Sequence, residues 1–127
     1  MIPTRRNVLI CDDDPMIRAA LADLLRIELA VEDITLAADA DEAIELAQRL
    51  APSVAVLDCR MPGGGGGRAA REIRLRSPHT KILAFSAQSD VHSRTEMRIA
   101  GAAEYVTKGT TNAEIVDAVR RLLPAQP

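Results

Sequence analysis

Short apolar runs alternate with segments in which apolar residues recur every three or four positions, and this alternation runs the length of the chain. Asn7-Val8-Leu9-Ile10-Cys11 is too short for a helix and predicts a buried strand. Asp14 then stands as a helix cap with Pro15 at the first helical position, and Ile17, Leu21, Leu24 and Leu25 lay one apolar stripe along the helix that follows. A second strand is expected around Asp33 to Ala37. Asp39 with Glu42 three places on has the capping-box pattern for a helix to about Leu50, which Pro52 ends. Val54-Ala55-Val56-Leu57 is a third apolar run, and it leads straight into Asp58 before Met61-Pro62 and a glycine run stop regular structure.

The second half repeats the scheme. Ala69 to Arg76 reads as a helix with a weak stripe, mainly Ala70 and Ile73, closed by Ser77-Pro78. Lys81 to Ser86 is a fourth strand. Val91 to Ala100 is a helix ending at Gly101, and Arg94, Glu96 and Arg98 break its apolar spacing, so it should be the least buried helix. Ala103 to Thr107 is a fifth strand, and Thr111 with Glu114 repeats the capping box before Ile115, Val119 and Leu122 on one helix face. Five strand–helix units in strict alternation imply an α/β fold with a doubly wound parallel sheet, because right-handed crossovers place helices on both faces. A single domain over 1–127 is expected, with its core at about 7–123 and residues 124–127 as a tail or the start of a linker.

At 127 residues and 47% hydrophobic, the chain can fill one core. A formal net charge of -2 and only Phe85 and Tyr105 as aromatics argue against a nucleic-acid surface built on basic stacking platforms. No stretch approaches a membrane span, and Met1 to Arg6 lacks the apolar core of a signal peptide, so a cytoplasmic protein is expected. Cys11 and Cys59 lie in strand-like surroundings without ligand spacing and read as reduced packing residues. His79 and His92 read as surface residues, and Arg68, Arg71 and Arg74 as a solvated helix face.

Polar residues collect at the strand ends. The first strand ends in Asp12-Asp13-Asp14, the third in Asp58, the fourth in Ser86, and Lys108 follows the fifth. In an open parallel sheet all of these lie on the edge where ligands bind. Carboxylates brought to roughly 5 Å repel by about 3 kcal/mol per pair at an effective dielectric near 20, so the cluster needs a cation. An all-oxygen site suits Mg²⁺ with room for a phosphate ligand, and a divalent ion with an ammonium and a hydroxyl is the equipment of phosphoryl transfer.

Asp12-Asp13, Asp58 followed by Met61-Pro62, Ser86-Ala87 and Tyr105-Val106-Thr107-Lys108, in this order and spacing, resemble the receiver domain of two-component response regulators, the chemotaxis receiver among them. The resemblance runs from about Asn7 to Leu123. It implies a flavodoxin-like strand order 2-1-3-4-5 with five helices. It implies Asp58 as acceptor of a phosphoryl group from a sensor histidine kinase or phosphotransfer protein. It further implies Mg²⁺ bound by Asp13 directly, by Asp12 mainly through water, by Asp58 and by the Arg60 carbonyl. Ser86 and Lys108 would bind the phosphoryl oxygens, Ala87 would leave access, and Ser86 with Tyr105 would form the switch pair. Arg60 and Gln88 hold the positions that tune phosphoryl lifetime in the family. An output through the helix from Val91, the fifth strand and the last helix is implied as well, with an effector domain or a homodimer as partner and no enzyme activity beyond self-catalysed phosphoryl transfer and dephosphorylation.

The departures are local. Gly109 follows Lys108 where many members carry a cis proline, a trait shared with members fused to helix-turn-helix domains. Gly67 stands where an apolar helix residue is usual, so Gly63 to Gly67 reads as a loosened loop and helix start; Arg68 after it excludes a Walker loop. Two other readings use the same residues. Asp12-Asp13-Asp14 contains the Asp-x-Asp of haloacid-dehalogenase-type Mg²⁺ phosphatases, with Asp12 as nucleophile, but Met16 stands where that family has Thr or Val and a late acidic pair is missing. A non-phosphorylated pseudo-receiver acting as a binding module usually loses an acidic or lysine position, and none is lost here.

Overall fold

Five strands and five helices alternate without exception: β1 (Asn7–Cys11), α1 (Pro15–Leu29), β2 (Asp33–Ala37), α2 (Ala40–Leu50), β3 (Val54–Leu57), α3 (Gly65–Arg76), β4 (Lys81–Ser86), α4 (Val91–Ala100), β5 (Glu104–Thr107) and α5 (Asn112–Leu122). The computed structural model describes residues 5–126; Met1 to Thr4, most of the stretch tested for a signal peptide, and Pro127 at the end of the tail lie outside the described residues. The strands form one parallel sheet in the order β2-β1-β3-β4-β5, the flavodoxin-like arrangement.

Alternation along the strands splits the core in two. Leu9 and Cys11 of β1, Ala55 and Leu57 of β3 and Ile82 and Ala84 of β4 meet α2, α3 and α4 through Ile44, Ile73 and Met97. Val8, Ile10, Val54, Val56, Leu83 and Val106 point the other way and meet α1 and α5 through Leu21, Leu25, Ile115 and Val119. The central strands are buried on both faces, which is why they read as unbroken apolar runs.

Caps decide most helix starts. The Asp14 carboxylate accepts from Met16 N–H at 2.9 Å ahead of Pro15. Asp39 Oδ1 accepts from Glu42 N–H at 2.8 Å, and Glu42 Oε1 accepts from Ala38 N–H at 3.1 Å, a capping box shifted by one residue. The second box does not form: Thr111 sits at the cap of α5 without a side-chain bond, and its carbonyl accepts from Glu114 N–H at 3.1 Å. β5 begins at Glu104, one residue later than expected, and α4 has Met97 and Ala100 as its buried residues, the fewest of the five helices.

The glycine run departs most from expectation. Gly63, Gly64 and Gly65 take φ of 88, 100 and 78°, a turn that residues with a Cβ rarely adopt, and α3 starts at Gly65 rather than Ala69. Gly66 lies in the helix with its backbone packed on the loop after β3: its N–H donates to Cys59 O at 3.0 Å, and a Cβ there would sit 2.4 Å from Asp58 O.

Cys11 and Cys59 are both free thiols, as expected. Arg68 pairs with Asp41 and bonds Gly63 O, both at 2.7 Å, while His79 and His92 are exposed. Among the described residues no helix is long and apolar enough to cross a membrane.

Candidate phosphoacceptor site

The C-terminal ends of β1 and β3 are neighbours, and each strand runs on into an aspartate. Asp58 N–H donates to Cys11 O at 3.0 Å and Asp12 N–H to Ala37 O at 3.1 Å, so both residues continue the sheet's ladder for one more step. Asp12 and Asp58 are buried at 3% and 6% exposure, whereas Asp13, one residue on, turns outward and is exposed. Asp12, Asp13 and Asp58 nonetheless offer carboxylate oxygens that all lie within 4.8 Å of one another.

Lys108 enters from the end of β5. Its ammonium donates to Asp12 Oδ2 at 2.5 Å, stands 3.4 Å from Asp58 Oδ2 and lies 5.8 Å from the centroid of the Phe85 ring. Lys108 N–H bonds Ser86 O at 2.7 Å, which fixes the fifth-strand loop to the end of β4. Ser86 is buried, and its Oγ accepts from Gln88 N–H at 3.2 Å. Arg60 N–H donates to Asp58 Oδ1 at 3.3 Å, so its main chain belongs to the site while its side chain is exposed.

The electrostatics follow from this crowding. Burial pushes the Asp58 pKa above that of an ordinary carboxyl; Lys108 opposes the shift, Asp12 adds to it, and the Arg60 amide opposes it without reversing it. Burial works against the Lys108 ammonium, yet its hydrogen bond to Asp12 and the charges of Asp58 and Asp12 outweigh that cost and raise its pKa. The Cys11 thiol, beneath the acidic residues, is pushed up by burial and then by Asp39 and Asp12, so it stays protonated.

Three close carboxylates, all hard oxygen donors, fit Mg²⁺ and match no soft-metal geometry. The site can thus gather a hard cation, an anion held by Lys108, and a carboxylate nucleophile.

Tyr105 lies farther along β5. Its hydroxyl donates to Gln88 O at 2.5 Å and accepts from Cys59 Sγ at 3.6 Å, tying the ring to the β4–α4 loop; burial and the Cys59 contact push its pKa up to about 12. Two residues escaped sequence reasoning. Arg18 Nη1 donates to Asp12 O at 2.6 Å, strapping the acidic loop to α1. Arg94 lies 4.8 Å from the centroid of the Tyr105 ring. Both are arginines on helices, and nothing in their spacing separates them from solvated charges.

The sequence profile described as the response regulator receiver domain matches residues 8–120. The chain belongs to that family. This receiver domain is 32% identical over 120 residues to the response regulator GacA of Pseudomonas viridiflava, covering 94% of the chain and 56% of GacA. It therefore spans about half the length of the curated relatives it matches. The signal receiver domain of the response regulator NarL from Mycobacterium tuberculosis superposes with a TM-score of 0.86 at 33% identity, over 94% of this chain and 96% of that one. The receiver domain of sensor histidine kinase PA1611 from Pseudomonas aeruginosa PAO1, solved with magnesium coordinated in its active-site cleft, gives a TM-score of 0.84 at 27% identity, over 94% and 98%. Receiver domains are signalling domains of two-component systems rather than classical enzymes.

Proposed function

We propose that Asp58 is the phosphoacceptor of this receiver domain, taking a phosphoryl group from a phosphohistidine on a sensor histidine kinase or phosphotransfer protein. The observation that carries the reading is a buried carboxylate at the end of a central strand, with two further carboxylates within 4.8 Å and an ammonium at 3.4 Å. An Asp58 oxygen attacks phosphorus, the P–O bond forms as the P–N bond breaks, and the imidazole leaves. Asp12, Asp13 and Asp58, with the Arg60 carbonyl, would hold Mg²⁺, which when bound supplies neutralising charge for the phosphoryl oxygens. Lys108 binds a phosphoryl oxygen and Ser86 donates its hydroxyl to another. Arg60 and Gln88 border the site and govern access of the water that later hydrolyses the acyl phosphate.

The readout face in this proposal is α4, β5 and α5, with Tyr105 and Ser86 as the moving pair. For the output we propose a regulatory effector in the manner of GacA and NarL, relatives of which the chain spans little more than half, with the chemotaxis likeness confined to architecture. Homodimerisation through the same face and a cytoplasmic location are part of the proposal. The phosphatase reading is weaker, since Asp12 Oδ1 is taken by Asp14 N–H at 2.9 Å and Oδ2 by Lys108.

A small acyl-phosphate donor with Mg²⁺ should add one acid-stable, base-labile phosphoryl group, and Asp58→Asn should prevent it. Label recovered on Asp12 would favour the phosphatase instead.

A further inference from the structure

The helix α4 is fastened unequally at its two ends. Its buried residues, Met97 and Ala100, both lie in the C-terminal half. There Gly101 closes the helix with φ of 119°, and the Arg74 side chain of α3 crosses it so tightly that a Cβ at position 101 would sit 1.9 Å from Arg74 Cδ. The N-terminal half buries no apolar side chain, and Val91 is 79% exposed. Asp90 bonds Ser93 N–H and Oγ, and His92 faces Glu96, but these contacts stay within the helix and its cap.

Among the described residues, Arg94 makes the side-chain hydrogen bond that joins this half of the helix to the sheet. Arg94 Nη2 donates to Thr107 Oγ1 at 3.0 Å, Nε donates to Ser89 O at 3.2 Å, and the guanidinium plane lies over the Tyr105 ring. A planar fork with a stacking face makes three such contacts at once, which an ammonium cannot. The partners are also placed informatively. Ser89 lies three residues past Ser86, Thr107 directly precedes Lys108, and Tyr105 is bonded to Gln88 in the same loop as Ser89.

We infer that Arg94 is a latch: a positioning residue that holds the N-terminal half of α4 on β5 and ties its position to the two loops bearing Ser86 and Lys108. A movement of either loop changes one arm of the fork, and the half-helix that depends on it is released while the Met97–Gly101 end stays put. The inference rests on Asp58 as phosphoacceptor for the origin of that movement; the latch itself is a property of the resting protein.

Amide exchange in the unphosphorylated full chain tests it, alongside the rate at which Asp58 takes label from an acyl-phosphate donor. Arg94→Ala should speed exchange at residues 93–97 about tenfold, equivalent to about 1.4 kcal/mol of local opening. Thr107→Val should give a smaller rise in the same segment, Arg94→Lys should restore part of the protection, and residues 98–101 should keep theirs. Labelling rates should stay within about twofold of wild type in all three variants. Unchanged exchange at 93–97 in Arg94→Ala overturns the latch, as does loosening spread evenly over 91–101. A tenfold loss of labelling in Arg94→Ala overturns it too, by placing Arg94 in the phosphoacceptor site. Wild-type protein that takes no label sinks the phosphoacceptor reading alone, and the exchange comparison still decides the latch.

Discussion

Replacing Lys108 with methionine keeps a long apolar stem and removes the ammonium that sits 2.5 Å from Asp12 and 3.4 Å from Asp58. At an effective dielectric near 20 the Asp58 contact alone is worth about 5 kcal/mol of Coulomb attraction, and the two carboxylates left behind, within 4.8 Å of each other, repel by about 3.5 kcal/mol. Desolvation of the ammonium offsets much of the attraction, so the net loss should fall in the range for breaking a buried pair, about 3 to 5 kcal/mol. That is a large part of the stability of a domain of this size. Urea unfolding of wild type and Lys108→Met, each in chelator and in excess Mg²⁺, measures it. The variant should lose most in chelator and recover more than wild type when Mg²⁺ is added, because the cation replaces the missing charge. Its half-maximal Mg²⁺ concentration should fall, since Lys108 no longer competes for Asp12. Equal stability of the two proteins in chelator, or an identical Mg²⁺ response, would refute the reasoning.

Three further outcomes are expected. Asp13→Ala should weaken the rise in melting temperature that Mg²⁺ produces, read by thermal unfolding across a Mg²⁺ titration; an unchanged titration would remove Asp13 from the site. Because the folded-state pKa of Asp58 is raised, its contribution to stability is present below the ordinary carboxyl pKa and is lost as pH rises through the raised value; Asp58→Asn in chelator should therefore be more stable than wild type at neutral pH in urea unfolding, with the difference closing toward pH 4. Gly66→Ala should destabilise by about 2 kcal/mol or more, since its Cβ meets the Asp58 and Cys59 backbone, whereas Gly67→Ala meets the movable end of Glu96 and should gain up to about 1 kcal/mol of helix propensity; equal effects in chemical denaturation would contradict the packing described for α3.

The strands and the acidic edge were legible because central parallel strands must be apolar on both faces and because each ends on a residue that water or a ligand has to solvate. The start of α3 was not. Glycine propensity argues for a loop from Gly63 to Gly67, whereas Gly66 lies in the helix against the main chain of Asp58 and Cys59, a closeness that no local pattern records. Thr111 and Glu114 carry the letters of a capping box, but the loop from Gly109, with φ of 90°, delivers the Thr111 carbonyl rather than its hydroxyl to Glu114. Asp12, Asp58, Ser86 and Lys108 announce themselves by position. Arg18 and Arg94 act through the direction of a long side chain, and helical spacing alone gives no account of where such a chain ends.

The contact of Gly66 with the main chain of Asp58 makes the acidic edge of the sheet mechanically lopsided. On one side the Asp58 carbonyl is backed by a helix that lacks even a methyl group of clearance, and its amide is pinned to Cys11. That side is an anvil: new charge on the carboxylate cannot be accommodated by letting β3 retreat. On the other side stand a lysine on a flexible stem, followed by Gly109 with open space around it, and a serine at the mouth of a polar loop. Force generated at Asp58 therefore has one compliant direction, toward β4 and β5. Added side-chain bulk at position 66 would forfeit that directionality before it touched Ser86 or Lys108.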